Sequence, residues 1–161
     1  MNTDLYEVSL SGGHPGYQSV SLRCRPGYDN HVVVMVDVQK LIHYSDQHEH
    51  QSFVVSPVEE WDQDKRQGIF EFLAPPGPKE RHVEMPIVSF NEVRNKSKQP
   101  FLKMLGRSSE RVSRWVGYTN GRHRTRYLHF AGAKKMPVMC HKDQAADLEQ
   151  YCGVQRLGSE T

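Results

Sequence analysis

The chain has 161 residues, of which 37% are hydrophobic, and its 21 Lys and Arg nearly balance its 19 Asp and Glu. This length suits a single domain with one sizeable core, and no stretch approaches the ~18 apolar residues of a membrane-spanning helix. Because the N-terminus lacks a secretion signal and the cysteines lack CxxC spacing, we expect a cytoplasmic protein with reduced thiols at Cys24, Cys140 and Cys152.

Two strands are predicted near the N-terminus. The alternation of residues 18–25 places Val20, Leu22 and Cys24 on one face of a strand. The β-branched run at residues 31–38 predicts a second strand, which we expect to be buried.

Two helices are predicted to follow. Val38, Leu41 and Ile42 have the spacing of a short helix. A capping-box pattern beginning at Ser56 predicts that the next helix starts there, with Trp61 on its buried face.

The second half of the sequence alternates strands and helices. The predicted strands are residues 83–90, 112–118 and 136–140. The predicted helices are residues 100–105, with Phe101, Leu102 and Leu105 turned inward, residues 122–131, which Gly132 ends, and residues 143–151, which Asp143 caps. Residues 91–98 are predicted to form a polar bend.

Charge is strongly segregated along the chain. Residues 1–93 carry 7 basic and 14 acidic side chains, a net charge of −7. Residues 94–135 carry 12 basic side chains and 1 acidic side chain, a net charge of +11, and residues 136–161 carry 2 and 4. The near-neutral total therefore conceals a basic segment at residues 94–135.

The sharpest local signal lies at residues 118–127, where a strand ends at a Thr-Asn-Gly turn that opens a helix rich in cations. The N–H groups of a first helical turn have no partners within the helix, and the helix dipole adds partial positive charge, so an anion is favoured there. Arg122, Arg124 and Arg126 add guanidinium groups, which match phosphate oxygens. The segment predicts a phosphate site, and the alternative is a solvated basic helix face.

A longer string that includes this turn, NGRHRTRYLHFAGAKKMPV at residues 120–138, resembles the signature of the ParB/sulfiredoxin superfamily. The shared features are a Gly-x-x-Arg turn, a short helix, a glycine, and a strand that starts at a Pro-Val pair. The strings VDVQKL at residues 36–41 and VEEWDQDKRQGIFEFLAP at residues 58–75 extend the resemblance to the plasmid fertility inhibition factors of the Osa type. These are small proteins that block the transfer of a co-resident plasmid's DNA.

The resemblance implies an α+β fold in which a mixed sheet is flanked by short helices. We expect one domain over residues 1–161. Its core would be residues 82–141, with residues 1–81 as a β-containing N-terminal extension packed on that core and residues 142–161 as a C-terminal helix and tail.

The resemblance also implies chemistry. Sulfiredoxins carry a cysteine at the position of Arg122, so sulfinic acid reduction is not expected. In the chromosome-partitioning members of the superfamily, the equivalent turn holds nucleotide phosphates. The resemblance therefore implies phosphate contacts by Gly121, His123 and Arg124. Osa-type proteins are credited with ATP hydrolysis and nuclease action on DNA, which implies ATP and a divalent metal such as Mg²⁺ as cofactors here.

We assign roles within the turn on this basis. Arg122, His123 and Arg124 are the candidate catalytic residues, and Thr119, Asn120, Gly121, Arg124 and Arg126 are the candidate nucleotide-phosphate ligands. Alternatives stay open for several of them: His123 as a helix-surface histidine, Arg126 paired with a carboxylate, and Thr119 and Asn120 as residues that only close the turn.

Further cations of the basic segment are candidates for contacts to the DNA backbone, without recognition of sequence. They are Lys96, Lys98, Lys103, Arg111 and Arg114. Arg111 and Arg114 lie three positions apart on a predicted strand, so at most one of them can share the phosphate pocket.

Candidate metal ligands are scarce near the basic segment. Glu84, Glu92 and Glu110 are the nearby carboxylates, and each has the alternative of a surface charge. The His- and acid-rich tract at residues 43–50 is interpreted as a loop rather than a metal site. Trp115 and Tyr118 could stack on a base, although for Trp115 we favour a place in the core.

Three functional hypotheses follow. The first is an ATP-hydrolysing nuclease that attacks transferring plasmid DNA. The second is a non-catalytic module that binds nucleotide or DNA. The third is a direct inhibitor of a conjugative or type IV secretion component, using the acidic N-terminal half against a basic partner.

Overall fold

The computed structural model describes residues 5–76, 82–96, 100–106 and 110–155, without the side chains of Leu102 and Lys103. The strands are β1 (Leu5–Ser9), β2 (Ser19–Arg23), β3 (His31–Asp37), β4 (Val83–Glu84), β5 (Ile87–Lys96), β6 (Glu110–Asn120) and β7 (Lys135–His141). The helices are α1 (Val38–Ser45), α2 (Gln63–Leu73), α3 (Pro100–Met104), α4 (Arg122–Phe130) and α5 (Ala145–Cys152). Single 3-10 turns occupy Gln51–Phe53, Val58–Glu60 and Lys142–Gln144.

The strands form two mixed sheets. In the first, β1 pairs antiparallel with β2, and β2 pairs parallel with the short β4. The second has the order β3-β7-β5-β6, in which only the β5–β7 pair is parallel. The predicted α+β fold with mixed sheet and short helices is confirmed, with two sheets in place of one.

Pro86 divides the predicted strand at residues 83–90 between the two sheets. Val83 and Glu84 pair with β2, and Ile87 and Val88 pair with β7. Proline lacks the N–H that a continuous ladder needs, so the chain changes sheets there. β3 meanwhile pairs along the whole of β7, from His31 opposite His141 to Asp37 opposite Lys135. Segments before and after residue 82 therefore share both sheets.

The core extends over both sheets. Helices α1 and α5 pack on the second sheet, and α4 packs against α1 and α2. Val20 and Leu22 of β2 are buried, as their alternation predicts, and so are Tyr127, Leu128 and Ala131 on one side of α4. Gly132 follows that helix with φ of 89°, a left-handed conformation that suits a helix end, as predicted.

Among the described residues, no helix is long and apolar enough to cross a membrane.

Two N-terminal predictions need correction. β3 is only half-buried. Val34 and Val36 on one face are buried, whereas Met35 on the other face is 38% exposed, and Val32 near the start of the strand is 41% exposed. The second helix begins at Gln63 rather than at Ser56. Asp62 caps this helix, because its carboxylate accepts a hydrogen bond from the Lys65 N–H at 2.7 Å. Trp61 is buried, as predicted, but it precedes the helix.

The predicted bend at residues 91–98 is wrong as far as Lys96, because β5 continues to that residue opposite β6. This part of the β5–β6 ribbon projects beyond β7, which pairs with β5 only at Ile87 and Val88. The ribbon holds α3 away from the core, so the prediction that Phe101 and Leu105 turn inward is also wrong: they are 70% and 59% exposed.

The C-terminal helix begins two residues after its predicted cap. Asp143 lies in the 3-10 turn Lys142–Gln144, and α5 starts at Ala145. Gly153 follows its last residue, as predicted.

Candidate functional site

An open cleft of about 1020 Å³ lies between α2, β4 and the junction of β6 with α4. The polar residues that line it come from several distant parts of the chain. They are Arg23, Glu71, His82, Glu84, Thr119, Asn120, Arg122, His123 and Arg124. The continuous stretch at positions 118–124, which contains the Gly121 turn, therefore meets a single cleft.

Gly121 shapes the turn at the wall of this cleft. It caps α4 with φ of 91°, a left-handed conformation that side chains rarely adopt. A Cβ at this position would lie 2.8 Å from the Cβ and 2.9 Å from the Cα of Pro86. Both the N–H and the hydroxyl of Thr125 donate to the Gly121 carbonyl at 2.9 Å. The turn is thus held from both sides, and it accepts only glycine.

Arg124 lines the cleft, but its guanidinium is bound within the protein. Its guanidinium donates to the Glu84 carbonyl at 2.5 Å and to the side-chain oxygen of Asn120. The residue is 9% exposed, and this burial lowers the pKa of the guanidinium. Arg124 therefore ties the turn to β4 through Glu84 and Asn120.

Arg122 and His123 are the first side chains of α4, and both line the cleft. The Arg122 guanidinium carbon lies 5.9 Å from the centre of the Phe53 ring. The His123 ring meets Trp61 edge-on at 5.8 Å between centroids. Burial lowers the pKa of His123, and the charges of Lys65 and Arg122 lower it further. A neutral imidazole at pH 7 can accept a proton.

Arg126 does not line the cleft. Its guanidinium pairs with the carboxylate of Asp46, the residue that ends α1, through a close contact and a second one of 3.4 Å. The side chain of Arg126 is 10% exposed in this pair. The alternative of a carboxylate partner is therefore the one found, and the predicted phosphate contact of Arg126 is not supported by its position.

The three candidate metal ligands are dispersed. Glu84 lines the cleft, where it pairs with Arg23 at 3.8 Å and Arg25 at 3.6 Å. Glu92 and Glu110 lie on the projecting β5–β6 ribbon, in ion pairs with Arg94 of 2.9 and 3.7 Å. Among the described residues, no three His, Cys, Asp or Glu side chains are grouped so that they could hold a metal ion.

The candidate DNA contacts differ in availability. Arg114 donates to Glu92 at 2.7 Å and lies over the Tyr151 ring at 4.5 Å, so its charge is already engaged. Lys96 and Arg111 are exposed on the ribbon. Lys98 and the side chain of Lys103 lie outside the described part of the chain.

Trp115 is not the core residue that we favoured. It is half-buried and lines a second recess of about 320 Å³ beside the cleft. Tyr118 lines both spaces, but its hydroxyl is 2.7 Å from the Ser45 hydroxyl, and burial raises its pKa to about 12.

Sequence reasoning missed several cleft residues, namely Arg23, Phe53, Glu71, Phe72 and His82. They come from β2, a 3-10 turn, α2 and the residue before β4, and nothing in their local sequence marks them. Only the packing of these elements around the Gly121 turn brings them together.

Comparison with known proteins places the chain in a family. A family model described as plasmid fertility inhibition factor matches residues 33–153, well over half of the sequence. The chain therefore belongs to the plasmid fertility inhibition factor family, as its resemblance predicts.

Its fold is similar to a crystal structure of the oncogenic suppression activity protein, described as a plasmid fertility inhibition factor and solved as a gold(I) cyanide derivative. The TM-score is 0.63 at 14% sequence identity, and the match covers 96% of this chain and 72% of that one. At this identity the likeness concerns the fold. A search of curated proteins found no match.

Proposed function

We propose that this fertility inhibition factor acts in the cytoplasm as an ATP-binding and ATP-hydrolysing nuclease that attacks transferring plasmid DNA. ATP and a DNA strand present the same reactive group, a phosphate, so one cleft can serve both. The observation that carries the proposal is the Gly121 turn. There α4 begins at the wall of a large cleft, with Arg122 and His123 lining the same space.

Phosphate binding follows from the start of α4. The first-turn N–H groups of a helix have no partners within it, and the dipole makes this end positive. Arg122 adds a planar guanidinium beside those donors, which suits phosphate oxygens. Arg124 and Thr125 keep the donors in place by binding Asn120, Glu84 and the Gly121 carbonyl.

His123 is the candidate for proton transfer. Its lowered pKa leaves the ring neutral at pH 7, so that it can take a proton from an attacking water. A protein-bound Mg²⁺ fits the described residues poorly. Of the two glutamates that line the cleft, Glu84 already pairs with Arg23 and Arg25, and no group of three ligands is formed. We therefore assign no step to a metal held by these side chains.

DNA is the proposed macromolecular partner. Lys96 and Arg111 are exposed on the β5–β6 ribbon, and they would contact phosphates without reading sequence.

The test measures ATP binding, ATP hydrolysis and plasmid nicking for the full chain, Arg122→Ala and His123→Ala. The control is Lys142→Ala, an exposed cation outside the cleft. We expect Arg122→Ala to weaken ATP binding about ten-fold, since charge-assisted hydrogen bonds to phosphate are lost. His123→Ala should reduce turnover ~100-fold or more with little change in binding.

Each contrary result has a definite meaning. If ATP fails to bind, or binds equally well to Arg122→Ala, the phosphate site is wrong. If ATP and DNA bind but neither is cleaved with any divalent metal added, the non-catalytic binding module replaces the enzyme.

A further inference from the structure

The recess beside the cleft is built on four residues that face each other across β5 and β6. Ser89 lies opposite Gly117 and Asn91 lies opposite Trp115. Residues two apart on a strand share a face, so these four form one patch. The buried residues Phe90 and Val116 alternate with them and occupy the other face. The patch is therefore an outward surface of the sheet, and the 3-10 turn at Gln51–Phe53 helps to enclose it.

Aromatic rings surround this patch. Trp115 is half-buried and Phe53 is 54% exposed. The His48 ring lies between them, with its centroid 6.2 Å from Trp115 and 5.0 Å from Phe53. Half-exposed rings around a recess of about 320 Å³ suit a flat aromatic group of the size of one nucleobase.

The polar side chains of the patch have a defined direction of hydrogen bonding. The Asn91 amide nitrogen donates to the Ser89 hydroxyl oxygen at 3.1 Å. This contact leaves the Asn91 carbonyl oxygen to accept a hydrogen bond and the Ser89 hydroxyl to donate one. The pair matches a base edge with an amino group beside a ring nitrogen acceptor, as in adenine and cytosine. Hypoxanthine presents a carbonyl and an N–H there and does not match.

Gly117 keeps the floor of the recess open. A Cβ at this position would lie 2.8 Å from the Ser89 hydroxyl oxygen, which belongs to the proposed base contact. A larger residue would therefore displace the group that donates the hydrogen bond.

The recess joins the phosphate cleft. Phe53, Tyr118, Thr119 and Arg122 line both spaces, so they form the boundary between them. A nucleotide with its phosphates at the Gly121 turn can place its base in the recess, past Arg122.

We propose that this recess binds an amino-bearing nucleobase, adenine or cytosine, whose ring stacks on Trp115 and whose edge contacts Ser89 and Asn91. The inference rests on the proposed phosphate site for the remainder of the nucleotide. It deepens that proposal, because it names the part of the substrate that determines which nucleotide binds.

The test uses the full chain with four ligands: ATP, ITP, inorganic tripolyphosphate and adenosine. Calorimetry measures their affinities, and tryptophan fluorescence measures stacking, since the chain has 2 tryptophans and Trp61 can be replaced in a Trp61→Phe background. The variants are Trp115→Ala, Trp115→Phe and Asn91→Ala. Phe101→Ala is the matched control, because Phe101 is 70% exposed and lines neither space.

We expect ATP to bind more tightly than ITP and tripolyphosphate and to quench Trp115. Trp115→Ala should weaken ATP binding about ten-fold and leave tripolyphosphate unchanged, whereas Trp115→Phe should retain most of the affinity. Asn91→Ala should remove the preference for ATP over ITP. Phe101→Ala should behave as the unmodified chain does.

The two proposals fail in different ways. Equal binding of ATP and tripolyphosphate, or unchanged ATP binding by Trp115→Ala, overturns the base site alone. Failure of tripolyphosphate to bind, with adenosine still quenching Trp115, overturns the phosphate site and supports the base site. Failure of adenosine and ATP alike to quench Trp115 overturns the base site whatever tripolyphosphate does. Retained affinity in Trp115→Phe shows that loss in Trp115→Ala reflects stacking rather than unfolding.

Discussion

Arg124 lies within the candidate site, yet its guanidinium binds the protein. It joins the Glu84 carbonyl of one sheet to Asn120 at the end of the other, next to the turn that opens α4. A cation in this position cannot follow a ligand freely, because moving it would take its donor from the Glu84 carbonyl in a part-buried contact. Arg124 is therefore a positioning residue for the Gly121 turn.

Replacing Arg124 should lower stability as well as nucleotide binding. We expect Arg124→Ala to reduce the free energy of unfolding by about 2 kcal/mol, because hydrogen bonds from a charged donor are lost and a buried acceptor is left unpaired. Arg124→Lys should recover little, since an ammonium group cannot reproduce the two-pronged contact. Urea denaturation measures this effect, and Arg124→Ala with unchanged stability would show that the contacts carry no structural role.

The backbone at Gly121 has no room for a side chain. Gly121→Ala should lower the free energy of unfolding by at least ~1 kcal/mol and abolish phosphate binding, because the left-handed φ and the contact with Pro86 both exclude a Cβ. The matched control is Gly68→Ala. Gly68 lies within α2, and a Cβ added there would meet no atom within 4 Å, so alanine should stabilise the chain by roughly 0.5–1 kcal/mol. Thermal denaturation of both variants should give shifts of opposite sign.

Among the helices, α4 is attached to α1 through the pair of Arg126 and Asp46. The pair is asymmetric, since the Arg126 side chain is 10% exposed and that of Asp46 is 41% exposed. The pair gives Arg126, a buried cation of the basic segment, a carboxylate partner.

Removal of Asp46 alone should therefore be more harmful than removal of the pair. We expect Asp46→Ala to cost about 2 kcal/mol of unfolding free energy, because a buried guanidinium loses its partner. Arg126→Met in the same chain should restore part of that loss, since no buried charge then remains. Chemical denaturation of the two single variants and the double variant forms the test, and strictly additive losses would contradict it.

The packing of α2 against α4 sets the protonation of His123. Burial lowers its pKa, and Lys65 of α2 and Arg122 lower it further. Protonation therefore costs the folded state: this contribution to stability is complete above the usual histidine pKa of 6.5 and is lost as pH falls through the lowered value.

Neutralising Lys65 should move this titration. We expect Lys65→Met to raise the pKa of His123, and NMR titration of the His123 ring should detect the shift. If His123 is the proton acceptor, the acid limb of the ATP hydrolysis profile should move to higher pH by the same amount. Lys142→Met is the control. A titration that stays the same in Lys65→Met would exclude the electrostatic influence of α2.

Over the whole molecule, both sheets join segments that are far apart in sequence. β4 pairs with β2, and β7 pairs with β3 along its full length. β4 and β7 therefore both pair with strands that precede residue 82.

A fragment of residues 82–161 should not fold alone. Without β3, the fragment would expose the edge of β7. It would also lack Asp46, so Arg126 would lose its carboxylate partner. Circular dichroism and amide NMR spectra of the fragment should show an unfolded chain beside the folded full chain. A dispersed spectrum for the fragment would contradict this expectation.

Several cations of the basic segment bind other groups of the protein in the folded molecule. Arg94 and Arg114 pair with Glu92, Arg126 pairs with Asp46, and Arg124 binds Glu84 and Asn120. Four of the 12 cations at residues 94–135 therefore bind other groups of the protein. Lys96, Arg111, Lys134 and Lys135 are exposed among the described cations of this segment, and Arg122 lines the cleft.

Features of the fold that depend only on neighbouring residues could be predicted from the sequence. The Gly121 turn, the helix that it opens, the Gly132 stop and the alternation of β2 are all local, because steric limits on φ and the periods of helix and strand act within a few positions. The family resemblance rests on local strings as well, at residues 36–41, 58–75 and 120–138.

Long-range packing determines which residues line the cleft. Arg122, Arg124 and Arg126 occur within five positions of the sequence, yet their surroundings differ. Arg122 and Arg124 line the cleft, where Arg124 binds Glu84 and Asn120, and Arg126 pairs with Asp46, 80 positions away. The recess at Trp115 likewise needs the register of β5 on β6 and the turn at Phe53. Such partners depend on long-range packing, and no local pattern encodes the distance between residues that meet only when the chain has folded.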